Sequence, residues 1–187
     1  MIAGIDEAGR GPIAGPVCAA AVILPDNFNI KLLNDSKKLT ASRREEARRE
    51  IMAQAVAWGI GWASHAEIDR INILRASLLA MKRAFDEMMK KSCLQTENIT
   101  AITDGLYVPD IPVPGTAMVK ADAKVPQVMA ASIMAKTARD SYMEEMAALY
   151  PLYGYEKHKG YPTAAHRKAV IKYGPSPIQR LTFAVKK

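Results

Sequence analysis

Apolar and polar positions change rhythm several times along the chain, and each change marks an element. Met1–Ile5 and Val17–Leu24 are short, unbroken apolar runs that read as two buried strands, with the glycine-rich stretch Glu7–Gly15 turning between them. Asn34–Thr40 is a polar loop, and Ala41–Val56 then has helical composition, its arginines interspersed with glutamates. Trp58–Ser64 reads as a third strand. From Glu67 to Ser92 apolar residues recur at helical spacing through Ile71, Leu74, Leu78, Met81, Phe85 and Met88 or Met89. Thr100–Thr103 and Ala117–Lys120 are two further short strands, separated by a loop bearing Pro109, Pro112 and Pro114. Val125–Tyr150 is the longest helical stretch and stops at Pro151. A last helix fits Thr163–Tyr173, with Thr163 placed to cap it. Strands and helices mix without strict alternation, which predicts a mixed α/β sheet with a helical C-terminal cap.

Composition narrows this little. A chain of 187 residues, 49% hydrophobic and 24% charged, has room for one globular domain and can bury a core without staples. No repeat, low-complexity tract or linker-like shift precedes residue 150 or so. Cys18 and Cys93 are too few for a disulfide framework, read as buried small apolar residues, and fit a reducing compartment. Asp6 and Glu7 fall where a signal peptide needs apolar residues, and the longest apolar run, Val17–Leu24, is too short to span a bilayer. A cytoplasmic protein without membrane contact is expected.

Charge changes the picture more. The formal net charge is +7, yet residues 1–150 carry equal numbers of basic and acidic side chains. The whole excess lies in residues 151–187, where Lys157, Lys159, Arg167, Lys168, Lys172, Arg180, Lys186 and Lys187 face only Glu156. Tyr153, Tyr155, Tyr161 and Tyr173 are threaded among them. Such a segment suits a polyanion whose sugars or bases can stack, and it equally suits a solvated surface helix and tail.

Four acids stand at the edges of apolar strands: Asp6 and Glu7 after the first, Asp104 after Ile102, and Asp122 after Val119. Strand ends are where open sheets gather ligands, and hard cations such as Mg²⁺ require oxygen donors that would otherwise repel one another. Each acid singly suits a loop cap or an ion pair; the four together point to a metal site. Adjacent strand residues face opposite ways, so Asp6 and Glu7 share a site only if the chain bends between them. Zinc is disfavoured, because Cys18, Cys93, His65, His158 and His166 show no ligand spacing. There is no Gly-x-Ser-x-Gly nucleophile elbow, and nothing marks a sugar groove.

Gly9-Arg10-Gly11 allows close backbone approach to a phosphate or sugar, or is simply a tight turn. Asp35-Ser36-Lys37-Lys38 offers a hydroxyl and two ammoniums for phosphate contact, or is a solvated loop. Lys136 and Asp140 sit at i and i+4, an intrahelical ion pair; Arg139 suits the surface or a phosphate. His158–Thr163 is a candidate contact loop.

These residues resemble one family in order along nearly the whole chain. Gly4-Ile5-Asp6-Glu7-Ala8-Gly9-Arg10-Gly11-Pro12 is similar to the opening signature of ribonuclease HII, the type 2 ribonuclease H. The resemblance continues through Asn34–Leu39, Asp104-Gly105, Lys120-Ala121-Asp122, Ala130–Lys136, Arg139-Asp140 and His158–Thr163. Ala121 stands where the family commonly has glycine, and Gln179 where histidine is frequent. The resemblance implies a ribonuclease H-like fold, a mixed five-stranded sheet flanked by helices with a C-terminal helical segment. It implies one catalytic domain over residues 1–187, of which about 151–187 is a basic, tyrosine-bearing substrate-binding segment. The activity implied is cleavage of the RNA strand of RNA–DNA hybrids, and incision 5′ of single ribonucleotides in duplex DNA, leaving 3′-hydroxyl and 5′-phosphate ends. The catalytic metal ligands would be Asp6, Glu7, Asp104 and Asp122, holding two Mg²⁺ or Mn²⁺ ions when substrate is bound. Gly9, Arg10 and Gly11 would read the ribose 2′-hydroxyl, Tyr161 the adjoining deoxyribose, and Ser36, Lys37 and Lys38 phosphates. The family is typically monomeric, and no protein partner is named by the sequence.

Three rivals predict different behaviour. Ribonuclease HIII carries an extra N-terminal domain, for which a first strand beginning at Met1 is expected to leave no room. A binding module without catalysis would not keep four strand-end acids facing a phosphate backbone. A resolvase- or transposase-type nuclease of the same fold would cut DNA alone.

Overall fold

The computed structural model describes residues 1–33 and 39–185. Ser36, Lys37 and Lys38 therefore lie outside the described residues. Five strands form one sheet: β1 (Ile2–Ala8), β2 (Val17–Ile23), β3 (Ala57–Ala63), β4 (Thr100–Asp104) and β5 (Gly115–Met118), in the order β3-β2-β1-β4-β5. The first three are an antiparallel meander, while β4 runs parallel to β1 and β5 parallel to β4. The mixed five-stranded sheet expected from the family resemblance is thus the observed one.

Among the described residues five helices complete the chain: α1 (Ala41–Gln54), α2 (His65–Lys91), α3 (Pro126–Leu149), α4 (Tyr155–His158) and α5 (Ala164–Tyr173). None of them is long and apolar enough to cross a membrane. The helices cover both faces of the sheet, which is why β2 reads as unbroken apolar sequence. Ala19, Ala21 and Ile23 pack on one face with Ala80, Ala84, Phe85 and Met88 of α2. Cys18, Ala20 and Val22 pack on the other with Ala47 and Ile51 of α1 and Ile133 and Met134 of α3.

Small residues let these layers approach closely. A Cβ on Gly61 of β3 would run into the Ala80 carbonyl and Ala84 nitrogen of α2, and one on Gly4 of β1 into the Gln127–Val128 peptide of α3. The second contact seats the start of α3 beside the carboxyl end of β1.

Several elements depart from the pattern-based expectation. β1 continues through Asp6 and Glu7 to Ala8, and β4 includes Asp104, because polar residues at a sheet's end still pair their backbones. Asp122 does not follow β5 directly; it sits in a single 3₁₀ turn, Ala121–Ala123, after Lys120 takes a left-handed conformation. The helix expected to run unbroken from Glu67 is interrupted in α2 at Asn72, whose φ is 67° and whose Oδ1 accepts from Arg75 N at 3.1 Å. Asparagine tolerates that φ and caps the turn after it, so it restarts the helix. The short α4 has too little periodicity to be seen in sequence. Cys18 is buried, but Cys93, expected to be buried, is exposed.

Gly61→Ala is expected to lower stability by about 1–3 kcal/mol, the usual cost of overpacking a close contact. Equilibrium urea unfolding reads this, and a loss under about 0.5 kcal/mol would mean α2 moves aside freely.

Candidate active site

The ladder register places the acids. Ile5 of β1 pairs with Thr103 of β4, so the next residues, Asp6 and Asp104, lie side by side where the parallel ladder of the two strands runs out. Asp6 shares its face with Gly4, toward α3, where the Ser132 hydroxyl bonds its carboxylate. Glu7 is the next residue of the strand, and its N–H donates to Asp6 Oδ1 at 2.7 Å. No bend separates the two, contrary to the requirement drawn from alternation. They share a site because the cavity opens at the strand's end, reached from both sides. Asp104 Oδ1 accepts from Ala121 N at 2.8 Å, which pins the 3₁₀ turn carrying Asp122 to the end of β4. Lys120, not Ala121, takes the left-handed backbone, so alanine in the family's glycine position is accommodated.

Asp6, Glu7, Asp104 and Asp122 line one cavity of about 510 Å³, together with Ser132, Lys136, Arg44, the Gly9–Gly11 turn and Tyr161. A larger hollow of about 690 Å³ around Trp62 and Tyr142 contains none of the four acids; chemistry rather than size selects the site. Lys136 Nζ is tied to Asp140 at 2.7 Å, as its spacing predicts. Arg10 is half exposed and reaches Glu7 Oε1 at 3.2 Å.

The electrostatics of the cavity are unfavourable as they stand. Burial, followed by the charges of Glu7 and Asp104, raises the Asp6 carboxyl well above its usual range. Burial also raises Glu7, against the lowering effect of Arg10. Among the described residues Glu7 Oε2 is buried with no hydrogen-bond partner. Among the described residues no three such side chains already form a closed ligand cage. A divalent cation would offset the repulsion among these carboxylates. An all-oxygen donor set with an unpartnered buried carboxylate oxygen fits a hard divalent ion.

The Gly9–Pro16 turn is built by two side chains that sequence reasoning missed or misplaced. Arg180, 0% exposed, donates to the carbonyls of Gly9, Arg10, Pro12, Gly15 and Pro16 at 2.6–3.1 Å. Arg139, read as surface or phosphate-facing, is 1% exposed and donates to Ala14, Pro16 and Lys159 carbonyls. Among the described residues neither pairs with a carboxylate. Burial pushes Arg180 down to about 9, with Arg139 beside it adding to the shift, so it stays charged at neutral pH. Gly9, at φ 99°, lies directly over the Arg139 guanidinium, where a side chain has no room. Gln179, given no role from sequence, is buried and donates to the Ile13 carbonyl at 2.8 Å.

The C-terminal tyrosines split. Tyr155 is buried against Ser176 and stacks with Tyr153 at 5.7 Å, whereas Tyr161 is exposed and lies over Gly11. Packing against distant parts of the chain separates them; nothing in their local sequence does.

Known proteins resemble this chain in sequence and in fold. A family model described as ribonuclease HII matches residues 3–186. Ribonuclease HII of Treponema denticola is 53% identical over all of this chain and 99% of its own. Among solved structures, ribonuclease H2 from Pyrococcus horikoshii OT3 superposes with a TM-score of 0.75 at 26% identity, covering 98% of this chain and 94% of that one. Bst-RNase HIII in complex with Mn²⁺ superposes at 0.79 over 98% of this chain and 67% of its own; at 19% identity it speaks for the fold alone.

Because burial and like charge disfavour the ionised form of Asp6, Asp6→Asn is expected to raise the melting temperature of the metal-free protein by a few degrees, at about 2–4 °C per kcal/mol in a chain of this size. The folded state binds the Asp6 proton more tightly than the unfolded one. Metal-free wild type should therefore lose stability as pH rises from about 4 through the raised carboxyl value, and the variant should lose less. A melting temperature unchanged or lowered at neutral pH would contradict this.

Proposed function

Since the chain belongs to the ribonuclease HII family of metal-dependent endoribonucleases that degrade the RNA of RNA–DNA hybrids, we propose that the four-acid cavity is its catalytic centre and that it also incises 5′ of single ribonucleotides in duplex DNA. The observation that carries the reading is the convergence on one cavity of four acids, a glycine turn with its carbonyls drawn back, and one exposed tyrosine. Asp6, Glu7, Asp104 and Asp122 are the ligands, with Asp6 central because both Glu7 and Asp104 bear on it. Two divalent ions, Mg²⁺ or Mn²⁺, would lower the pKa of the attacking water and stabilise charge on the leaving 3′-oxygen. That chemistry leaves 3′-hydroxyl and 5′-phosphate ends.

The remaining residues select the bond. Gly9 and Gly11, without side chains, admit a ribose edge to backbone-contact distance, and the 2′-hydroxyl is the one group that tells RNA from DNA there. Tyr161, beside Gly11, meets the sugar on the other side of the junction and favours a deoxyribose. Arg10 is free on its solvent side to neutralise a phosphate while still touching Glu7. Ser36, Lys37 and Lys38 are assigned phosphate contacts on the family resemblance. Residues 151–187 serve as the substrate-binding flank of a single catalytic domain: exposed Lys157, Lys168 and Lys172 supply charge, while Tyr155 and Arg180 build the scaffold. The protein acts as a monomer in the cytoplasm.

Labelled duplex DNA with one ribonucleotide, beside an all-DNA control, tests this in Mg²⁺, Mn²⁺ or EDTA. A metal-dependent cut 5′ of the ribonucleotide is expected, with the control intact; a cut control would favour a DNA nuclease of the same fold. Asp6→Asn should abolish cleavage and largely spare hybrid binding by gel shift, and cleavage at the wild-type rate would remove Asp6 from the ligand set. Tyr161→Ala should reduce kcat/KM most at a lone ribonucleotide, and an equal loss on a long hybrid would deny it a junction role.

A further inference from the structure

Away from the acids, two buried histidines stack on one another. His158 ends α4 and His166 lies in the first turn of α5; their rings are 4.4 Å apart and within 13° of parallel. Tyr155 meets both edge-on, at 5.9 and 5.4 Å. The chain between them turns through Lys159 and Gly160, at φ 50° and 85°, to present Tyr161.

The two rings grip this turn. Gly160 N donates to His158 Nδ1 at 3.2 Å, and His166 Nδ1 meets the Tyr161 carbonyl at 3.0 Å. The first bond requires a bare Nδ1, so the His158 proton sits on Nε2 and is donated to the Tyr153 carbonyl at 2.8 Å. The second requires the proton on Nδ1 of His166, leaving its Nε2 bare, buried and, among the described residues, unpartnered. One pair of neutral tautomers satisfies all three bonds.

We propose that the His158–His166 stack is the positioning element for Tyr161: in its neutral form it fixes the ring over Gly11, and protonation of His158 releases it. This rests on the junction-reading role proposed for Tyr161. A proton on His158 Nδ1 would face the Gly160 N–H, two donors with no acceptor between them, and a charge on either ring would lie against its neighbour.

The surroundings favour neutrality. Burial lowers both imidazoles below their ordinary value, more than the Tyr153 carbonyl and Glu156 raise His158, or the Tyr161 and Gly160 carbonyls raise His166. Lys159 opposes a charge on His158, though it is itself paired with Glu144 at 2.8 Å. The Arg139 guanidinium holds the Lys159 carbonyl and lies 6.0 Å from the Tyr161 ring, another fixed cation beside the turn. Tyr155 presents a neutral phenol, its hydroxyl paired with that of Ser176. The ordered turn is therefore complete at neutral pH and is lost as pH falls below about 6.5 through the lowered imidazole values.

The test is the ratio of kcat/KM for a duplex with one ribonucleotide to that for a long hybrid, from about pH 8 to about pH 5. Titration of the acids and their metal is common to both substrates and cancels in the ratio. The ratio should fall about fivefold, the equivalent of one hydrogen bond. The Gly160 amide resonance should move with the same midpoint as the His158 imidazole. His158→Asn, which sets a non-titrating oxygen near the Nδ1 position, should keep the ratio and flatten its pH profile. His158→Phe, which keeps a stacked ring without an acceptor, should depress the ratio at every pH. A wild-type ratio flat with pH, and a Gly160 amide that ignores the imidazole, would overturn the proposal even where Tyr161→Ala still lowers the ratio. A ratio untouched by Tyr161→Ala would instead remove the junction reading, and with it the stack's claim on specificity. The amide titration uses the unaltered protein, so it decides the matter whether or not the variants fold.

Discussion

The Gly9–Pro16 turn directs so many carbonyl oxygens inward that burying them unpaired would cost several kcal/mol, and the two guanidiniums that meet them are what allow this turn to exist. Arg180 satisfies five; Arg139 shares the Pro16 carbonyl with it and adds that of Ala14, with the Lys159 carbonyl in addition. Neither cation has a carboxylate partner among the described residues, so the carbonyl dipoles carry the whole burden of solvating them. Burial, with Arg139 beside it, holds Arg180 below the usual guanidinium value, which is the cost these dipoles work against. Everything on the substrate side leans on this arrangement. The glycine turn keeps its shape from behind, and the Lys159 carbonyl couples it to the segment that presents Tyr161.

The acids in front are placed by a different rule, that of the β ladder. Parallel pairing of β1 with β4 brings Asp6 and Asp104 to one edge, and the bond from Ala121 to Asp104 brings Asp122 in by a turn. Arg10, the Ser132 hydroxyl and backbone N–H groups offset this concentration of negative charge only in part; burial and repulsion outweigh them. It persists because both faces of the sheet are packed by helices at close range, so stability built there offsets an unfavourable site. Metal-binding readiness and instability of the bare site are two descriptions of the same crowding.

Much of this was legible in sequence. Apolar runs located all five strands, and the position of the acids relative to those runs singled out the four that meet in the cavity. Alternation misled where the strand ended, since Asp6 and Glu7 can face one opening without a bend once the opening is at the strand's tip. Charge misled in the C-terminal segment. Arg180 and Tyr155 contribute to a basic, aromatic composition that suggests a polyanion, yet both are fully buried. Their partners lie far away in sequence, among the Gly9–Pro16 carbonyls for Arg180, and no periodicity encodes a contact of that kind. Asn72 was hidden for the opposite reason, a purely local one: a single side chain that caps its own helix interrupts a pattern whose apolar spacing continues across it.

The distance along the chain between the turn and its clamp also has a temporal meaning. Arg180 bonds carbonyls 164 to 171 positions earlier, so the turn beside the acids has no holder until that arginine has been made. At ribosomal rates of about 5–20 residues per second, this leaves roughly 8–33 s in which β1 can pair while its following turn stays slack. A nascent chain thus carries Asp6 and Glu7 early but gains the shaped turn beside them only once Arg180 has been made.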